Sequence, residues 1–159
     1  MGVKKKDIIN LGKDTSASSD DLVQLATSQK VEVRRSVAAN QNLSLKTLTT
    51  LADDSDYSVR WMVLLNPSVP FHIVERLAGD SMEFIRREVA RHRLVSPGTL
   101  DRLADDPILE VRKAVAANPK TEWRTLKRMA MSKSRVITRL VAKHPNLPSR
   151  DCLRELLDV

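Results

Sequence analysis

The sequence is poor in several residue types on which common functions depend. It contains one cysteine, Cys152, among 159 residues, which excludes an intramolecular disulfide and a cysteine-rich metal site. There are four glycines and no Gly-rich phosphate-binding loop. Aromatic residues are 3% of the chain, so a core must be built from Leu, Val, Ile and Ala. No apolar stretch approaches the roughly 20 residues of a membrane-spanning helix. These absences favour a helical, cytoplasmic protein.

Positive charge exceeds negative charge along the chain. Lys and Arg number 27 against 20 Asp and Glu, which gives a net charge of +7 at pH 7. Such an excess is typical of proteins with anionic partners, although the position of the charge decides which partner is bound. Residues 1–19, which include Lys4, Lys5 and Lys6 and a serine-rich stretch, are interpreted as a basic N-terminal segment or cap.

Two short signals recur every 26 residues without an insertion. One pairs an aliphatic residue with alanine, and the other pairs a β-branched residue with arginine or, in the last copy, threonine. A fixed period of about 20–50 residues indicates a repeat architecture. The copies are Leu25-Ala26, Leu51-Ala52, Leu77-Ala78, Leu103-Ala104 and Met129-Ala130, and Val33-Arg34, Val59-Arg60, Ile85-Arg86, Val111-Arg112 and Ile137-Thr138.

Each copy contains two apolar patterns with helical spacing. In the first, Leu48, Leu51 and Ala52 occupy positions i, i+3 and i+4, which share one face of a helix. In the second, Val59 and Val63 stand one helical turn apart. The pattern therefore predicts a helix A and a helix B in every copy, joined by a turn.

The predicted helix ends are marked by polar residues. An Asn or His closes helix B and in three copies precedes proline, which biases the residue before it out of the α region. Asn also tolerates the left-handed conformation that often ends a helix. We therefore predict an all-α solenoid with about five 26-residue helix–turn–helix repeats over residues 20–148 and a C-terminal capping helix at residues 149–159. The closing residues are Asn40, Asn66, His92, Asn118 and His144.

One stretch, Leu100–Pro119, shows the repeat pattern nearly whole. It reads Leu-x-x-Leu-Ala-Asp-Asp-x-x-x-x-Val-Arg-x-x-Val-Ala-x-Asn-Pro and resembles the leucine-rich repeat variant family. Its Asp…Val-Arg element is also similar to HEAT-type repeats. The resemblance implies a right-handed solenoid of paired short helices, in which helix A is sometimes partly 3₁₀. Some members of the family carry a cysteine-bound iron–sulfur segment, which is absent here because Cys152 stands alone. The resemblance implies no particular function.

The arginine in each Val-Arg pair has two interpretations. These arginines form a phosphate-binding stripe, or they pair with the aspartates of the repeats, as in the ladder between adjacent repeats of HEAT-like solenoids. Ser132 and Thr138 replace acid and base together in the last copy, which favours the ladder. The predicted structural ladder consists of Asp54, Arg60, Asp80, Arg86, Asp106 and Arg112.

The exposed face of helix B is the predicted binding surface. In a solenoid the second helix of each pair lines the concave surface, and exposed Trp and Arg are typical of binding hot spots. The alternative is a solvated helix face without a partner. We call this face the helix-B ridge. Its candidate binding residues are Arg35, Trp61, Leu65, Phe84, Arg87, Arg91, Lys113, Arg139 and Lys143, and its remaining positions are Glu32, Ala39, Ser58, Glu110, Ala117 and Val136.

The remaining polar groups suggest no second site. The helix A arginines, Arg76, Arg102 and Arg128, are predicted to form a solvated outer face. The three histidines do not cluster, and no nucleophile pair or pair of carboxylates stands outside the repeat columns. We therefore expect no enzymatic activity, no metal and no cofactor.

Two functions from different classes remain. The first is a binding scaffold that presents the helix-B ridge to a protein partner with an acidic surface. A small regulatory or immunity-type protein that neutralises an enzyme is a subtype of it. The alternative is nucleic-acid binding along the same ridge, through phosphate neutralisation and base stacking. The sequence predicts no membrane association and leaves the oligomeric state open.

Overall fold

The computed structural model describes residues 14, 16–132 and 134–148, and this part of the chain is helical without a strand. Its helices are seven to nine residues long, and both members of every predicted pair are α-helices rather than 3₁₀. Residues 1–13 of the predicted N-terminal segment and the predicted capping helix at 149–159 lie outside the described residues. The helices are α1 (Ser19–Leu25), α2 (Val31–Ala38), α3 (Leu45–Ala52), α4 (Tyr57–Leu64), α5 (Phe71–Leu77), α6 (Glu83–Arg91), α7 (Pro97–Leu103), α8 (Leu109–Ala117), α9 (Trp123–Ala130) and α10 (Arg135–Val141).

The chain divides into two compact units between Leu77 and Ala78. The N-terminal unit contains α1 to α5, and the C-terminal unit contains α6 to α10. The sequence pattern gave no sign of this division, because the 26-residue period runs through it unchanged.

The core of the N-terminal unit is built from the predicted apolar columns. Helix α2 packs against α4, and α3 packs against α4 and α5. Val33, Val37, Val59 and Val63 are at most 1% exposed, and Leu51 from helix A is equally buried. Burying one Val or Leu side chain contributes about 1.5–3 kcal/mol relative to leaving it exposed, so these columns hold the unit together.

The C-terminal unit repeats this arrangement. Helix α8 packs against both α6 and α10, and α9 packs against α10. Val89, Val115 and Val141 from the three helix-B members are fully buried, as are Leu100 and Leu126 from helix A. The burial of these columns confirms the core-facing positions expected from the helical spacing.

Serine caps begin several of the helices. The hydroxyl of Ser44 accepts the backbone N–H of Thr47, and Ser96 accepts that of Thr99. At the first helix, Ser18 accepts the N–H of Asp21 and donates to its carboxylate at 2.7 Å. These bonds satisfy N–H groups that the first helical turn leaves without an intrahelical partner.

Asn118 shows how a B helix ends before proline. It adopts an extended conformation with φ −79° and ψ 123°, which agrees with the expectation that the residue before Pro119 leaves the α region. No described residue has a positive φ, so the left-handed conformation that Asn tolerates is not used at these helix ends.

Candidate binding surface

Arg34 and Asp54 form a two-point ion pair in the N-terminal unit. The Nε of Arg34 donates to one carboxylate oxygen at 2.6 Å, and Nη2 donates to the other at 2.8 Å. The remaining nitrogen, Nη1, donates to the backbone oxygen of Ser28 at 2.8 Å. All three guanidinium nitrogens therefore bind the protein itself, which leaves Arg34 unsuited to hold a phosphate.

Arg86 and Asp106 form the same pair in the C-terminal unit. Nε and Nη2 of Arg86 donate to the two carboxylate oxygens at 2.6 and 3.1 Å, and Nη1 donates to the backbone oxygen of Asp80 at 2.8 Å. The Arg86 and Asp106 side chains are 14% and 4% exposed. Such buried pairs fix the register of the packed elements more reliably than they add net stability.

The other members of the predicted ladder make part of the same pattern. Nη1 of Arg60 donates to the backbone oxygen of Asp54, and Nη1 of Arg112 donates to that of Asp106. The carboxylate of Asp80 accepts the N–H of Met82 at 2.9 Å. Arg60 and Asp80 belong to different compact units, so pairing between them stays a prediction.

The ladder aspartates are held in the ionised form. Burial would raise the pKa of Asp106, but hydrogen bonds from Arg86 and from the N–H of Ile108 outweigh it and hold the pKa below its ordinary value. At Asp54, burial likewise raises the pKa, but hydrogen bonds from Arg34 and from the N–H of Asp56 lower it, and the net effect is a pKa below the ordinary value. Both carboxylates are thus structural anions rather than proton donors at neutral pH.

A second set of ion pairs joins successive copies through helix A. Nη2 of Arg76 lies 2.5 Å from a carboxylate oxygen of Asp53. Arg128 forms ion pairs with Asp105 and with Asp101, the latter at 2.7 Å. Arg76, Arg102 and Arg128 are all exposed, as predicted for a solvated outer face, but ion pairs between copies also hold Arg76 and Arg128, which the prediction did not include. A signal was present in the Asp-Asp doublets, whose first member pairs with helix A of the next copy.

Asn66 and Asn118, which follow B helices, each bind the preceding copy within their own unit. Nδ2 of Asn66 donates to the backbone oxygens of Ala38 and Asn40 at 2.8 and 2.7 Å, and Nδ2 of Asn118 donates to that of Ala90 at 2.7 Å. Each Oδ1 accepts the N–H two residues further along the chain. An amide serves here because it donates and accepts at once.

The helix-B ridge of the N-terminal unit combines one cation with two apolar residues. Arg35 is exposed on α2, Trp61 is half-buried on α4, and Leu65, the C-terminal cap of α4, is 47% exposed. Because α2 packs against α4, these positions belong to neighbouring helices. An exposed Leu beside a half-buried Trp is an apolar feature suited to protein contact.

The helix-B ridge of the C-terminal unit is strongly basic, and we call this part the basic ridge. Phe84, Arg87 and Arg91 lie at i, i+3 and i+7 on α6 and therefore share one face. Phe84 and Arg87 are half-buried, and Arg91 is exposed. The basic ridge consists of Phe84, Arg87, Arg91, Glu110, Lys113, Ala117, Val136, Arg139 and Lys143.

Three cations of the basic ridge are not engaged by the protein. Within residues 16–132 and 134–148, the side chains of Arg91, Arg139 and Lys143 make no hydrogen bond or ion pair. In the same part of the chain, the buried Nε of Arg87 also lacks a hydrogen-bond partner. Lys113 contacts Glu110 at 2.9 Å. The guanidinium groups of the ladder arginines Arg34 and Arg86 are thus bound within their own units, whereas Arg91, Arg139 and Lys143 have no partner among the described residues.

A cavity of about 300 Å³ opens on the basic ridge. Three helices contribute to its lining: α6 through Arg91, α8 through residues such as Lys113, and α10 through Leu140. Sequence reasoning missed this cavity, although it identified two of its cations. Its lining residues are Arg91, Glu110, Lys113, Ala114, Ala117, Asn118, Pro119 and Leu140.

Comparison with known proteins identifies no relative. No family model matches the chain, and neither a curated protein nor a solved structure matches it significantly. Among the described residues, no group of three or more His, Cys, Asp or Glu side chains is arranged to hold a metal ion. No helix in the same part of the chain is long and apolar enough to cross a bilayer.

Proposed function

We propose that this chain is a non-catalytic cytoplasmic binding scaffold that docks through the helix-B ridge onto an acidic surface of a partner protein. The observation that supports the proposal is that its arginines form two groups, one bonded to other parts of the repeat structure and one without a bond to any described residue. Arg34 and Arg86 donate hydrogen bonds to other parts of the repeat structure, while Arg91 and Arg139 donate none within the described residues. Unpaired exposed cations on one face are available to an anionic partner and accelerate encounter with it.

The fold that best supports this role is a right-handed α-solenoid of five helix–turn–helix repeats. The support is the unbroken 26-residue period in the sequence, together with contacts that recur at that spacing within each unit. A solenoid similar to leucine-rich repeat variant or HEAT-type repeats offers a rigid row of helix faces. Rigid rows of this kind bind extended or large partner surfaces.

A protein partner is favoured over a nucleic acid. Base stacking needs an open aromatic face, but the ridge aromatics Trp61 and Phe84 are half-buried. The exposed aromatics Tyr57 and Phe71 are not ridge residues. The ridge also carries the carboxylates of Glu32 and Glu110, which repel a phosphate backbone. Half-buried aromatic residues surrounded by cations are instead typical of protein interfaces.

The experiment compares two charge-reversed variants of the full chain. The test variant carries Arg139→Glu and Lys143→Glu on the ridge, and the matched control carries Arg124→Glu and Lys127→Glu, which are exposed on helix A of the same copy. Partners captured from host extract by the wild-type protein are identified, purified and titrated by calorimetry. We expect the test variant to weaken binding by about tenfold or more and the control to change it little.

Two outcomes contradict the proposal. Equal binding by both variants removes the basic ridge from the interface. Capture that disappears after nuclease treatment, with affinity for a mixed oligonucleotide that falls steeply with salt, assigns the surface to nucleic acid instead. Trp61→Ala tests the apolar anchor separately, since retained affinity for the purified partner shows that Trp61 lies outside the interface.

A further inference from the structure

We propose that the cavity on the basic ridge receives one carboxylate side chain of the partner, together with an adjacent apolar side chain. This inference rests on the proposed function, because it specifies what the ridge recognises. The cavity is small, about 300 Å³, at the lower end of the about 300–1,000 Å³ of small-molecule sites. Its size suits one or two side chains of a docked segment rather than a cofactor.

Two small residues of α8 contribute to the cavity. Its lining includes Ala114 and Ala117 of α8. The residues at the equivalent repeat positions are Met62 and Leu65 in the repeat of α4, Glu88 and Arg91 in that of α6, and Leu140 and Lys143 in that of α10. Two alanines between helices with longer side chains leave an indentation. The repeat of α2 carries similarly small residues, Ser36 and Ala39, at the same positions, so the indentation depends on the longer side chains of the flanking helices as well as on the two alanines.

The charge of the cavity matches a single carboxylate. Two cations, Arg91 and Lys113, line it with one anion, Glu110. Lys113 is already bound to both Glu110 oxygens at 2.9 and 3.0 Å. Arg91 has no partner in the described part of the chain. One unit of positive charge thus remains, and a guanidinium binds a carboxylate through two parallel hydrogen bonds. A phosphate group, with about −1.5 to −2 charges, exceeds what the cavity neutralises.

Besides the preference for a carboxylate, the cavity favours an apolar side chain because part of its lining is apolar. Ala114, Ala117, Pro119 and Leu140 form an apolar lining beside the guanidinium of Arg91. Burying an aliphatic side chain against them removes apolar area from water. The occupant we infer is therefore a Glu or Asp next to an aliphatic residue in an acidic segment of the partner protein.

The test uses defined peptides and the ¹⁵N-labelled full chain. The probes are acetyl-Leu-Glu-Leu-amide and its neutral counterpart acetyl-Leu-Gln-Leu-amide, titrated while amide chemical shifts are recorded. We expect saturable shifts at Ala114, Ala117 and Leu140 with the Glu peptide, and about tenfold or more weaker binding of the Gln peptide, because a charge-assisted hydrogen bond is lost.

Three variants separate the cavity from the general charge of the ridge. Arg91→Gln removes the anchoring cation. Ala117→Leu fills the cavity with a leucine side chain. The same position in the repeat of α4 already holds a leucine, Leu65, whose side chain is 47% exposed. Both variants are expected to abolish the peptide-induced shifts. Arg139→Gln, on the same ridge but outside the cavity lining, is expected to retain them.

Several results overturn the cavity assignment. These are equal affinity for both peptides, equal losses in Arg91→Gln and Arg139→Gln, or no saturable shift below about 10 mM peptide. Tighter binding of inorganic phosphate than of acetate at the same amides also overturns it. Each of these leaves the proposed function intact if Arg139→Glu with Lys143→Glu still weakens partner binding. The two ideas therefore fail independently.

Discussion

The Nε2 of His144 lies 2.8 Å from the backbone oxygen of Asn118, while Nδ1 of the same ring accepts the N–H of Asn146 at 3.1 Å. Because Nδ1 accepts, the ring is the tautomer that donates from Nε2. Asn66 makes the equivalent pair of bonds: Nδ2 donates to the backbone oxygen of Asn40, and Oδ1 accepts the N–H of Ser68. An imidazole and a carboxamide thus perform the same function at equivalent positions.

This equivalence predicts that His144→Asn leaves the free energy of unfolding nearly unchanged, because the amide supplies the same donor and acceptor. His144→Ala, in contrast, leaves the buried oxygen of Asn118 without its partner and costs about 2 kcal/mol. Urea denaturation of both variants measures the difference. Equal destabilisation by Asn and Ala would show that the imidazole acts through packing rather than through its hydrogen bonds.

The apolar columns were predictable because helical spacing places residues such as Val59 and Val63 on one face regardless of distant context. The role of Asn118 was not. Its Nδ2 binds the oxygen of Ala90, and a residue 28 positions away contributes nothing to local conformational preference. Sequence reasoning therefore identified Asn118 only as the residue that closes helix B before Pro119.

The candidate site was likewise predictable only in part. Helical periodicity placed Arg91 and Lys113 on the exposed face of helix B. It did not reveal the cavity beside them, because a cavity depends on how far the neighbouring side chains of α6 and α10 reach across α8. Ala114 and Ala117 are visible in the sequence, but the repeat of α2 carries similarly small residues, Ser36 and Ala39, at the same positions, so residue size alone does not mark the cavity.

Two adjacent aspartates provide a direct comparison of buried and exposed ion pairs. Asp106→Asn breaks the pair with Arg86 and leaves its largely buried guanidinium without a counterion, at a cost of about 3 kcal/mol. Asp105→Asn breaks an exposed pair with Arg128 and costs at most about 1 kcal/mol. Thermal and urea denaturation of the two variants test this ranking, and a reversed order would contradict a structural role for the ladder.

The lowered pKa of His92 predicts that the free energy of unfolding decreases in mild acid. Burial, with Arg93 and Lys120 nearby, lowers the pKa of His92 below its ordinary value of 6.5, despite the opposing charge of Glu88. The unfolded chain therefore binds this proton first, so the free energy of unfolding decreases as pH falls below about 6.5 and levels once the folded ring is protonated too.

Substitution of His92 by Asn isolates this effect. Asn118 shows that Asn Oδ1 accepts the N–H two residues further along the chain, as Nδ1 of His92 does for Leu94. His92→Asn is thus expected to flatten the pH dependence between pH 7 and 5, measured by urea denaturation at each pH. His72→Asn, the same substitution at an exposed histidine, is measured alongside as the matched variant.

Gly79 occupies the position that holds Asp53 and Asp105 in neighbouring copies. Lacking that carboxylate, Arg102 bonds instead to the hydroxyl of Thr99 at 3.0 Å. The φ of Gly79 is not positive, so alanine can adopt its backbone conformation. Gly79→Ala should therefore stabilise the protein by about 0.4–1 kcal/mol, since it restricts the unfolded chain.

Gly79→Asp should add to this gain by restoring the helix A ion pair. The new carboxylate is expected to pair with Arg102 as Asp105 pairs with Arg128, which contributes about 0.2–1 kcal/mol beyond the Ala variant at low salt. A double-mutant cycle with Arg102→Gln measures the coupling. A coupling of zero would show that the pairs of Arg76 and Arg128 arise from their own surroundings rather than from the repeat geometry.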